Sequence, residues 1–124
     1  MMMPFRPEHL PTVQEWCRMR GMGEFPEGWL PPTGYIVSNV AAMFWYPTNS
    51  KLAFIECVIS NPNSTKSERN HALDLITDAI IHDATKAGFL YLQGLSANSS
   101  LIGHAKALGF KIIGPECRVL LRRL

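Results

Sequence analysis

The sequence predicts an α+β domain in α/β/α layers: a mixed, mostly antiparallel twisted sheet with a parallel central strand pair and helices on both faces. Two observations carry this. Leu52 to Leu95 reads as an apolar strand, a polar elbow, a long helix and a second apolar strand, and a unit of that length is a parallel, right-handed crossover. Ahead of it, Gly34 to Ile59 reads as three strands joined by short turns, which is an antiparallel meander. A chain of 124 residues holds one core, so a single domain over 1–124 is expected.

Met2 to Arg6 reads as an opening strand, broken by Pro7-Glu8-His9-Leu10-Pro11. A helix from about Thr12 to Arg20 follows, with Pro11 suited to its first turn and Val13, Trp16, Cys17 and Met19 at helical spacing. Gly21-Met22-Gly23 ends it. Glu24 to Thr33 holds three prolines and forms an ordered loop, pinned to the sheet by Phe25, Trp29 and Leu30. Gly34 to Ser38 and Ala41 to Tyr46 are strands, and Pro47-Thr48-Asn49-Ser50 turns the chain into the strand from Leu52. The aromatics Tyr35, Phe44, Trp45, Tyr46 and Phe54 cluster here, either as sheet packing or as the wall of an acceptor pocket.

The long helix, about His71 to Lys86, places Leu73, Ile76, Ala79, Ile80, Ala84 and Ala87 on one face. Asp78 and His82 stand four apart on another stripe, but no further ligand accompanies them, so no metal site is expected. Gly88 stops the helix before the strand Phe89 to Leu95. A short helix follows, capped by Asn98 or Ser99 and stopped by Gly109. Lys111 to Gly114 and Cys117 to Leu121 read as a closing pair of strands about a Gly114-Pro115 turn.

A formal net charge of +2 and no basic run longer than Arg122-Arg123 argue against nucleic acid. No run is apolar and long enough to cross a bilayer, and Met1-Met2-Met3-Pro4 leads into charged residues with no signal segment. Three widely spaced cysteines, Cys17, Cys57 and Cys117, suit reduced thiols. The expectation is a soluble cytoplasmic protein.

The elbow, Ser60 to Asn70, lies at the carboxyl end of a strand and faces a helix start, where α/β folds bind anions. Farther on, Asn98 is followed after six residues by Ala105 and after three more by Gly109-Phe110. This order resembles the GNAT N-acetyltransferases, whose second half reads Asn, six residues, Tyr, three residues, Gly-Phe. It is most similar to the short GNAT-like proteins of tailed bacteriophages. The family's elbow reads Gln/Arg-x-x-Gly-x-Gly/Ala; Thr65 to Asn70 stands there without a glycine, and Ala105 replaces the tyrosine.

The resemblance implies transfer of an acetyl group from acetyl-CoA to an amine of a small molecule or host protein, with no metal. It implies a splayed parallel strand pair, with the backbone of Cys57, Val58, Ile59 and Ser60 holding pantetheine. Lys66, Ser67, Arg69 and Asn70 would hold the pyrophosphate, with Asn98 also on the cofactor side. Glu56, the one carboxylate within the apolar strand, would be the base toward the amine; desolvation between Ile55 and Cys57 suits that role. With Ala105 in the tyrosine's place, His104 would stand in as proton donor. Thr65-Lys66-Ser67-Glu68 also matches a capping box, which competes with phosphate for the same helix amides. The alternative is a decayed GNAT-fold protein that docks to a host protein. The resemblance also implies a homodimer through the last strands, where Ile112, Ile113, Val119, Leu120 and Leu121 are apolar.

Overall fold

A computed structural model describes residues 1–96, 98–114 and 120–124. The chain divides into two compact units, Met1–Gly94 and Leu95–Leu124. In the first, Met2–Pro4 forms β1, Pro7–His9 a 3₁₀ turn, Leu10–Met19 the helix α1 and Gly34–Val37 the strand β2. Ala41–Tyr46 is β3, Leu52–Ser60 is β4, Lys66–Lys86 is α2 and Tyr91–Gln93 is β5. The strands lie in chain order, antiparallel from β1 to β4, with β5 parallel to β4. The expected mixed sheet and its meander are therefore present.

Alternation along each strand sends side chains to two faces. On one face Ile36, Ala42, Phe44 and Ile59 meet Val13, Trp16 and Cys17 of α1, all buried. Phe44 is fully enclosed, with the Phe5 ring edge-on at 4.7 Å. Gly34 lies opposite it in the ladder, and a Cβ there would stand 2.4 Å from the Phe44 ring, so that position requires glycine. On the other face Met43 and Trp45 meet α2 and its exit: Thr77 Oγ1 is 3.8 Å from Met43 Sδ, and Trp45 stacks edge-on with Phe89. The Tyr35 hydroxyl ties this face to α2 by donating to Asp83.

The second unit holds α3, Ser99–Ala107. Asn98 caps it, with its side-chain oxygen accepting from the amide of Leu101 at 3.1 Å. The three α-helices among the described residues stop the same way. Gly21, Gly88 and Gly109 take positive φ, and the amides of Met22, Phe89 and Phe110 reach back to the carbonyls of Cys17, Ala84 and Ala105. That is the Schellman closure.

Three boundaries differ from the sequence reading. The helix α2 begins at Lys66 and not near His71, because the capping box is formed and fixes the first turn. The strand β5 is only Tyr91–Gln93; Leu90 and Tyr91 both donate to the carbonyl of Lys51, and pairing then stops. Residues 110–114 and 120–124 are not in strands. The expected turn at Pro115 and the segment from Cys117 to Val119 lie outside the described residues. No helix among the described residues is long and apolar enough to cross a membrane.

Candidate active site

Between Phe44 and Ala42 the strand β3 takes two steps, while β4 takes three from Glu56 to Ile59. The extra residue is a bulge. Cys57 absorbs it at φ 58°, a left-handed conformation that costs a residue with a Cβ about 1 kcal/mol or more. As a result, two consecutive side chains serve one face. Glu56 is the cross-strand partner of the buried Phe44, and Cys57 packs against the same α1-side cluster.

Tyr46 joins them. Its hydroxyl lies 3.4 Å from Cys57 Sγ and donates to the carbonyl of Trp29 at 2.9 Å. Burial, and then the adjoining thiol, push this phenol well above its ordinary value, so it stays protonated. Glu56 is half-buried and, among the described residues, makes no hydrogen bond or ion pair.

Beyond Phe54 the other edge of β4 has no partner strand among the described residues. Its parallel ladder with β5 covers Leu52, Ala53 and Phe54 and ends at Gln93. Gly94 still passes Ile55, after which no described residue pairs with that edge. The antiparallel ladder settles which backbone groups point there. Asn61 donates to Val40 across the ladder at 2.8 Å, so Ser60, opposite Ala41, is in a pair that is not hydrogen-bonded. Ile59, opposite Ala42, is turned toward β3, while the amide and carbonyl of Val58 and of Ser60 face the open edge. An extended ligand with amides of its own finds Val58 there as a strand would.

The elbow after Ser60 is held by its own polar groups. Asn61 Oδ1 accepts from the amide of Asn63 at 2.9 Å, and its side-chain nitrogen donates to the carbonyl of Asn39. The capping box is formed in both directions: Glu68 accepts from the amide of Thr65 at 2.8 Å, and Thr65 Oγ1 from that of Glu68 at 3.1 Å. The backbone hydrogen bond from Thr65, with the box itself, holds the Glu68 carboxyl below the usual range, so it is charged. The Arg69 guanidinium donates to the carbonyl of Ser64. Lys66, Ser67 and Asn70 lie at the start of α2, all three exposed.

The remaining candidates lie in the second unit. His104 and Ala105 sit in mid-helix on α3, and the Asn98 side chain is engaged in capping. Of the aromatics, Phe44 and Trp45 are core, whereas Tyr46 and Phe54 face each other half-buried in the ladder beside Glu56. Two site residues were not singled out from sequence. In sequence Tyr46 is one of five clustered aromatics that suit either sheet packing or an acceptor-pocket wall. Arg20, at the end of α1, donates from Nε to the Ser60 carbonyl at 2.9 Å and from Nη2 to the Ser60 hydroxyl at 2.6 Å. No local pattern signals a contact across that separation in the chain. Among the described residues, no group of His, Cys, Asp or Glu is arranged to hold a metal.

The sequence matches no family model and no curated protein. Solved structures match over nearly the whole length. A Trypanosoma brucei acetyltransferase is 15% identical with a TM-score of 0.64, covering 98% of this chain and 99% of its own. A protein from Thermus thermophilus is 16% identical with a TM-score of 0.73, covering 99% of each chain. One from Agrobacterium tumefaciens, described as an acetyltransferase, is 15% identical with a TM-score of 0.66, again over 99% of each. The fold is thus that of the GNAT-like acetyltransferases.

Proposed function

We propose that this chain is an acetyl-CoA-dependent N-acetyltransferase. The observation that supports it best is the open edge of β4, where the ladder to β5 ends at Phe54 and the backbone of Val58 is turned outward. In this reading the pantetheine arm of acetyl-CoA lies along that edge as an added strand, with its thioester at the bulge and its phosphates toward the elbow. The acceptor amine attacks the thioester carbonyl, the carbon–sulfur bond breaks, and the electron pair leaves on the CoA sulfur. Glu56 takes the proton that the amine loses. A thiolate leaves without obligatory acid assistance near neutral pH, so turnover does not require a tyrosine at position 105. Lys66 and Arg69 supply positive charge toward the phosphates that a glycine-free elbow cannot cradle closely.

The same reading pairs two copies through the C-terminal segment, whose Ile112, Ile113, Leu120 and Leu121 are exposed. Calorimetric titration with acetyl-CoA and with CoA tests the main proposal. Saturable heat with a matching rise in melting temperature is expected. No heat and no thermal shift at millimolar ligand would remove it.

A further inference from the structure

Arg20 is tied to the strand end by neutral groups alone. Both of its hydrogen bonds go to Ser60, one to the carbonyl and one to the hydroxyl. It forms no ion pair among the described residues, where the ion pairs present join Arg18 to Glu15 and Glu24. A guanidinium carries five donor hydrogens, so three remain after these two bonds. The side chain is exposed, and the carbonyl it holds is the one the ladder turns to the open edge of β4. An uncompensated, oriented cation therefore sits where that edge meets the elbow. Anchoring on Ser60 also occupies one of the two lone pairs of this carbonyl, which leaves Val58 the less encumbered pairing residue.

Length decides what arrives at that cation. Across the bulge, Glu56 to Ser60 lies against only the three steps of β3 from Phe44 to Ala41, about 10 Å at strand rise, and an extended pantetheine arm runs on the order of 15 Å from sulfur to first phosphate. With the thioester beside Glu56, the first phosphate falls a few ångströms past Ser60. We propose that Arg20 binds the pyrophosphate of CoA, as a contact from α1 that takes the place of loop amides given up to the capping box. This rests on the acetyl-CoA reading above and adds a specificity: Arg20 joins Lys66 and Arg69 in distinguishing phosphorylated CoA from bare pantetheine. The planar fork suits phosphate, and the residual charge makes the contact sensitive to salt.

The test is calorimetric titration of the wild type, Arg20→Lys and Arg20→Ala with acetyl-CoA and with S-acetylpantetheine, together with the melting temperature of each unliganded protein. Arg20→Ala is expected to bind acetyl-CoA roughly ten- to a hundredfold more weakly, with Arg20→Lys intermediate and the loss shrinking at high salt. Affinity for S-acetylpantetheine, which has no phosphate, stays unchanged. Equal loss for both ligands would overturn the proposal and make Arg20 a strut for β4, and no loss for either would overturn it outright. Should Arg20→Ala melt far below the wild type, Arg20→Lys decides alone, by the same comparison of the two ligands. Failure of the wild type to bind acetyl-CoA would instead sink the acetyltransferase reading itself.

Discussion

Glu68 shows how one side chain can stabilise a fold and hinder a ligand. Its carboxylate completes the capping box on the amide of Thr65, where a phosphate oxygen would otherwise be received. Glu68→Gln keeps the acceptor that the box needs and removes the charge, so acetyl-CoA should bind more tightly, most visibly at low salt; calorimetry at two ionic strengths checks this. Tyr35 makes a separate prediction. The hydrogen bond to Asp83, and then burial, push its phenol from 10.0 up to about 12. The folded state favours the neutral phenol, so this stabilisation is complete below about pH 10 and is lost as pH rises through about 12. Ultraviolet titration should show a tyrosine step near pH 12 that Tyr35→Phe removes. Neither the Asp83 partner nor the Ser60 anchor of Arg20 was legible beforehand, because each joins residues far apart in the chain. Glu56 and the capping residues Thr65 and Glu68 were legible, because a lone carboxylate in an apolar run and a Thr-x-x-Glu spacing are local patterns.

Elements followed the same division between local and distant causes. The limits of β3 came directly from its apolar run, and the glycine stops of the three described α-helices from sequence, since a residue at positive φ is a local demand. The bulge in β4 left no such mark: Cys57 is an unusual occupant of a left-handed position that glycine fills at less cost. Lys111 to Gly114 read as a strand in sequence, yet none of these residues is in one. The helix α2 offers a direct test of its cap. Thr65→Ala removes the oxygen that accepts from the Glu68 amide and should cost about 1 kcal/mol in urea unfolding, with the helix otherwise intact by circular dichroism. A cost near zero would mean that the Glu68 half of the box suffices.

At the scale of the whole molecule, apolar surface remains uncovered. Ile112, Ile113, Leu120, Leu121 and Leu124 are each more than half exposed, as are Leu90 and Tyr91 at the start of β5. The proposed homodimer predicts twice the chain mass in light scattering at high micromolar concentration, and Ile113→Asp should shift it toward the monomer. A monomer mass for the unaltered protein at that concentration would refute the dimer.

The extra residue in β4 has a consequence for how the chain tolerates a deletion. Glu56 and Ile59 already share a face across the irregularity, so deleting Cys57 would leave them two apart and let the ladder to Phe44 and Ala42 run on without a break. The core gains only the half-buried Cys57 side chain from that additional position. A shortened strand would be straighter, would lose a strained backbone angle, and should fold as well as its parent. What it should change is the spacing of Glu56 from the outward-facing backbone of Val58. Here the protein keeps a costly kink that its interior does not require.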